Sequence, residues 1–137
     1  MTDPLAPAPQ PSAAARDDQI FPLAVYVLYL LGLMNGVTIL VGVVMAYALK
    51  DKAAEPYLSH YIFQIRTFWI GVIIGLAASL IAVIGIPLTF IVIGLAFFAL
   101  AGLIFAALWV WFLVRSVLGL VTLVRGDPYP RPRSLIV

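Results

Sequence analysis

The sequence has no cysteine, one histidine and few charges: 10% of its 137 residues are Asp, Glu, Lys or Arg. Without cysteine there is no disulfide, no thiol nucleophile and no thiolate ligand for a metal. One histidine among scattered acids does not close a coordination sphere, so neither a metal centre nor another cofactor is expected. Eight basic side chains against six acidic ones leave a net charge of +2. That is too weak and too dispersed for a nucleic-acid surface. What the sequence has in excess is apolar surface, with 64% hydrophobic residues, whereas a soluble domain carries about 25% charged ones. A chain of this length cannot bury so much, so its main partner is expected to be the lipid bilayer.

Residues 1–20, MTDPLAPAPQPSAAARDDQI, combine four prolines and five alanines with almost no bulky apolar side chain. Such a segment builds no core, and it is expected to be disordered. It does not resemble a cleavable signal, because acids adjoin the apolar stretch and that stretch is too long. Three regions follow: a Pro/Ala-rich tail over 1–20, a transmembrane helical domain over 21–125, and a Pro/Arg-rich cytoplasmic tail over 126–137.

A bilayer core of about 30 Å needs about 20 helical residues. Residues 23–49 carry no charge and end at Lys50-Asp51-Lys52. A second uncharged run from Thr67 to Val114 suits two crossings, and Pro87, two residues after Gly85, breaks it. The sequence therefore predicts an all-α bundle with three transmembrane helices, about 23–49, 67–84 and 88–114, a hairpin near 85–88, and interfacial helical segments at about 56–66 and 115–124. Pro56 suits the first turn of the segment it opens. Asn35-Gly36 in the middle of 23–49 leaves a re-entrant hairpin as the alternative to a simple crossing.

Lys50, Lys52 and Arg66 on one loop, and Arg115, Arg125, Arg131 and Arg133 near the end, place both segments in the cytoplasm by the positive-inside rule. Three crossings then put the N-terminus in the periplasm. All three tryptophans, Trp69, Trp109 and Trp111, fall near the cytoplasmic headgroups on this reading, and Tyr26 and Tyr29 near the opposite interface.

Helices in lipid approach one another through small residues. Gly32 and Gly36 on the first span, Gly71, Gly75 and Ser79 on the second, and Gly102 with Ala99 and Ala106 on the third are the candidate packing positions. They serve contacts within the chain or association with a second copy or another membrane protein. Asn35 is the most polar group expected inside the membrane; its amide needs a partner, in another helix or in its own.

The polar candidates cluster in SHYIFQIRTFW, Ser59 to Trp69. His60, Gln64, Thr67 and Gly71 share one helical face, and His60, Gln64 and Arg66 form a candidate partner interface at the cytoplasmic surface. Histidine there suits proton exchange or a carboxylate contact; the plainer reading is the polar face of an interfacial segment with Arg66 reaching to the headgroups. Ser59 adjoins His60, but consecutive side chains diverge on a helix and no acid stands at a useful spacing, so an enzyme is not expected. Ionisable residues inside a membrane mark transport paths, and the spans carry none.

Two motifs, His60-x-x-x-Gln64-x-Arg66-Thr67 and Arg125-Gly126-x-Pro128, resemble those of a family of small, uncharacterised bacterial inner-membrane proteins. That family is distantly similar to the channel-forming subunit of the chloroplast inner-envelope protein translocon, which has four spans where three are counted here. The resemblance covers residues 22–135 and implies an inner-membrane location without implying a reaction. The expected role is that of a partner-binding or accessory membrane subunit; the alternative is an oligomeric channel or translocation component lined by Asn35 and Ser79.

Overall fold

The computed structural model describes residues 13–89 and 92–136, with side chains from Asp18 onward. Among them are four helices and no strand: α1 (Ala13–Asn35), α2 (Val37–Lys50), α3 (Tyr57–Leu88) and α4 (Ile93–Val124). Three are long and apolar enough to cross a membrane: α1 over Asp18–Asn35, α3, and α4. The all-helical class and the number of long apolar helices are as expected. The boundaries differ in ways that move the site.

The continuous helix expected over 23–49 is instead a hairpin. Gly36, with φ of 74°, separates α1 from α2, and a side chain there would strain the backbone. The two arms run antiparallel: the Thr38 hydroxyl donates to the Leu28 carbonyl at 2.9 Å, and a Cβ on Gly42 would meet the Tyr29 ring at 2.9 Å. Gly32 lies so close to Ile39 that a Cβ there would strike its side chain. Asn35 closes the turn. Its Oδ1 accepts from the Thr38 backbone N–H at 3.1 Å, and its Nδ2 donates to Leu31 O at 3.2 Å. The first bond satisfies a free donor at the start of α2, as capping side chains do, and the second a carbonyl in the last turn of α1. At about 1.5 Å per residue, the 14 residues of α2 fall well short of the roughly 30 Å hydrocarbon core.

Residues 1–12 of the expected disordered tail lie outside the described residues. Its remainder is helical from Ala13, where three consecutive alanines favour the helix. The expected interfacial segments are not separate either. Residues 57–66 are the first turns of α3 and residues 115–124 the last turns of α4, because no proline or charge cluster interrupts them and Gly119 stays within its helix. The far turn also shifts: α3 continues through Pro87 to Leu88 and α4 begins at Ile93. Pro87 falls in the last turn, where its missing N–H costs one hydrogen bond and no helix follows to be kinked. The Thr89 hydroxyl donates to the Gly85 carbonyl at 2.9 Å, and Gly94 packs against Thr89 and Gly85 with no room for a Cβ.

α3 and α4 pair antiparallel along their length. A Cβ on Gly71 would sit 3.6 Å from the Phe112 ring and one on Gly75 3.7 Å from Leu108. The α1–α2 hairpin covers only the half of this pair nearest Tyr57 and Val124. Its tip reaches Val72 and Phe105, where Gly36, Ile39 and Leu40 face them across a cleft. Beyond the tip, Leu76, Leu80, Val83, Leu95 and Leu103 are exposed. The start of α1 reaches α4's end, since Gln19 Nε2 donates to Leu123 O at 2.7 Å. The entry to α1, the 51–56 loop and the C-terminal tail therefore share one end of the bundle, against the expectation that the N- and C-terminal segments lie on opposite sides.

Candidate functional site

The covered end of the bundle holds the polar side chains. From α3 come Ser59, His60, Gln64 and Thr67; from α4, Arg115 and Ser116; all six are buried. The spacing of His60, Gln64 and Thr67 puts them on the face of α3 turned toward α1 and α4. Pro22, Tyr26 and Tyr29 recur at helical spacing on α1 and meet that face. Room for Tyr26 comes from Gly119, where a Cβ would collide with the phenol ring.

His60 is held at both ring nitrogens. Nε2 lies 2.8 Å from the Asp127 carbonyl and Nδ1 lies 3.1 Å from the Tyr26 hydroxyl. A carbonyl only accepts, so Nε2 carries the proton and Nδ1 accepts from Tyr26. The imidazole is thus a neutral connector between α1 and the tail. Gln64 donates through Nε2 to the Pro22 carbonyl at 2.9 Å, and Tyr29 donates to the Gln64 carbonyl at 2.9 Å. His60 and Gln64 are therefore fully enclosed rather than displayed as an exposed partner face; only Gln64 Oε1 is left without a partner. Arg66 is half-buried, and its Nε is enclosed and unpartnered.

The tail after Gly126 is part of the site. Tyr129 is buried, stacks on Phe63 with ring centroids 3.8 Å apart, and donates its backbone N–H to Ser59 Oγ at 2.9 Å. Ser59 in turn donates to Pro56 O at 2.6 Å, so its hydroxyl is occupied in both directions. Burial pushes the Tyr129 phenol above its ordinary pKa, with the nearby Arg115 charge pulling the other way. The two motifs noted in the sequence are thus in contact through His60 and the Asp127 carbonyl, and their neighbours Ser59 and Tyr129 meet beside them.

Arg115 is the side chain that sequence reasoning undervalued, treating it only as the cation ending a span. It is completely buried. Its Nε donates to Thr67 Oγ1 at 2.8 Å, its Nη1 donates to Ile136 O at 2.9 Å, and its guanidinium lies over the Phe63 ring at 4.2 Å and the Trp111 ring at 5.2 Å. Nη2 has no partner, and no carboxylate pairs with it among the described residues. One signal was visible: Arg115, Ser116 and Gly119 share one side of the helix, a pattern that suits burial of a polar group beside a close helix contact. Tyr26 and Tyr29, expected at the opposite interface, belong to this cluster because the α1–α2 turn brings them to this end.

Of the packing candidates, Gly32, Gly71 and Gly75 face neighbouring helices within the chain, and Gly36 makes the turn. A Cβ on Gly102 would meet nothing within 4 Å, and Ser79 is exposed with its hydroxyl bonded to Gly75 O at 2.8 Å. No group of three or more His, Cys, Asp or Glu that could hold a metal ion occurs among the described residues. Between the hairpin tip and the α3–α4 pair lies a lateral cleft of about 490 Å³, walled by Gly36, Leu40, Gly71, Val72, Leu108 and Phe112 among others. No protein-family model, curated protein or solved structure matches the chain.

Proposed function

We propose that the chain is a small accessory subunit of a bacterial inner membrane, acting by binding an apolar helix of a partner protein rather than by catalysis. The lateral cleft carries this reading. It is apolar, and Gly36 on its wall leaves open space that a neighbouring backbone can enter, the geometry by which helices associate in lipid. The polar cluster supports the same reading, since the His60 nitrogens and the Ser59 hydroxyl are engaged in holding α1, α3 and the tail together. The arginine-rich end is taken as cytoplasmic. Because α1 starts at that end, the N-terminal segment is placed there too, with α1–α2 as a re-entrant hairpin and α3 and α4 as the crossings. The resemblance of the two motifs to a bacterial inner-membrane family is in keeping with this placement.

The test is a photo-crosslinker at Val72, inside the cleft, compared with one at Leu80, on the exposed stretch. In native membranes Val72 should give a discrete adduct that disappears when Gly71→Phe fills the cleft, while Leu80 gives none. Identical adduct patterns at both positions would remove the proposal.

The second reading, a channel or translocation component made of several copies, draws on Gly102 and Ser79, the small residues left facing outward. Gly71 and Gly75 are engaged within the chain, so Gly102→Ile is the informative change. It should disperse an assembly if one exists, and a chain that is already monomeric in mild detergent ends the channel reading.

A further inference from the structure

We propose that Arg115 and Arg66 form a binding site for an oxyanion, the phosphate group of an anionic membrane lipid. The argument begins with charge. A guanidinium is protonated at every ordinary pH, and removing it from water without a counter-charge is strongly unfavourable. Arg115 is fully buried, and its neutral partners, the Thr67 hydroxyl and the Ile136 carbonyl, supply no negative charge. Arg115 bonds Thr67 and lies over Phe63 on α3, and Arg66 is next to Thr67 and three residues on from Phe63, which brings a second cation beside it. Both arginines hold an enclosed N–H without a partner, Nη2 on Arg115 and Nε on Arg66. Two repelling cations, each with a free donor and no carboxylate pairing with either among the described residues, are complementary to one shared anion. Arginine's fork of donors suits the tetrahedral oxygens of a phosphate.

Depth favours the lipid as the source. Arg115 ends the uncharged run of α4, one turn after Trp111, and Arg66 precedes Trp69 on α3. Tryptophans of this kind settle at the headgroup level, where lipid phosphates lie. The approach is from the tail side: Ile136, whose carbonyl holds Nη1, and its neighbour Leu135 are largely exposed, so a headgroup reaches the enclosed Nη2 by displacing these outermost residues.

The experiment uses the full chain in a neutral detergent, with phosphatidylglycerol, a neutral glycolipid of the same acyl chains, or inorganic phosphate added in turn. Bound lipid is counted by native mass spectrometry and the thermal midpoint is followed. Phosphatidylglycerol should bind saturably and raise the midpoint, and the glycolipid should do neither. Arg115→Gln and Arg66→Gln should each weaken binding by roughly tenfold, the loss of one charge-assisted hydrogen bond, whereas Lys52→Gln and Arg131→Gln, at exposed positions, should not. Arg66 is only half-buried, so its variant keeps the test decisive if Arg115→Gln fails to fold. Saturable stabilisation by inorganic phosphate equal to that by the lipid keeps the oxyanion site and replaces the lipid as its source. Equal lipid binding by wild type and Arg66→Gln, or equal binding of the glycolipid, overturns the proposal.

Discussion

Replacing Gly36 by alanine tests the hairpin through the sign of a stability change. At Gly36 φ is 74°, and an L side chain in such a conformation costs roughly 1–2 kcal/mol. No heavy atom lies within 4 Å of an added Cβ, so packing neither adds to that cost nor offsets it. Gly36→Ala should therefore destabilise the protein by about 1–2 kcal/mol, a factor of roughly 5–30 in the folded-to-unfolded ratio. Gly102→Ala is the matched control. Its Cβ also meets nothing, but it lies in the regular helix α4, where alanine should stabilise by about 0.5–1 kcal/mol. Were residues 23–49 one straight helix, both substitutions would stabilise. Reversible unfolding in mixed neutral and anionic detergent micelles, followed by far-ultraviolet circular dichroism, gives both signs on one scale. An increase in stability for Gly36→Ala would refute the turn and with it the shared end of α1 and the tail.

Single cysteines are clean probes because the native chain has none: Asp18→Cys, Lys52→Cys and Arg133→Cys should all be labelled from one side of the membrane and Val92→Cys from the other. Labelling of Asp18→Cys and Lys52→Cys from opposite sides would restore a single crossing. Tyr129→Ala removes the ring stacked on Phe63 and should cost about 3 kcal/mol, as truncating a buried aromatic does; trypsin should then cut the tail at Arg125 and Arg133 faster, while Tyr129→Phe keeps the stack and the wild-type rate. Equal cleavage of all three chains would mean the tail is not docked.

The long apolar helices were legible because the bilayer imposes a length on uncharged segments, and α3 and α4 follow it. Residues 23–49 met the same criterion and still folded as two arms, because a charge count does not register Asn35-Gly36. The pair supplies a positive φ and a capping amide at one point, and the close pairing of Gly32 with Ile39 and Gly42 with Tyr29 then favours the bent form. The inward face of His60, Gln64 and Thr67 followed from helical spacing alone. What they bond to did not, since Tyr26 reaches His60 only after the chain has turned back at Gly36, and Asp127 and Tyr129 arrive from a segment whose prolines and arginines suggest a solvated tail. Burial of that tail depends on Phe63 offering a flat ring where Tyr129 can stack, a relation between residues far apart in sequence.

The placement of the polar cluster follows from what each solvent tolerates. Enclosed polar groups in the middle of a bilayer must find every partner within the protein, whereas groups near the headgroups can share theirs with lipid and water. The bundle is thickest at the end where His60, Gln64 and Arg115 sit, with α1, α3, α4 and the tail all contributing. It thins to the α3–α4 pair, where small residues, Ala78, Gly85, Gly94 and Ala101, are the buried ones. Hydrogen bonds that cross between α1, α3 and the tail fix the thick end, while the thin end is held by helix-to-helix packing through small residues and has fewer constraints on its motion. The cleft at Gly36 and Gly71 lies where these two regimes meet. An apolar helix entering there would extend the packed region along α3 and α4 without disturbing the polar bonds at the other end, so partner binding and the stability of the polar cluster should vary independently under mutation.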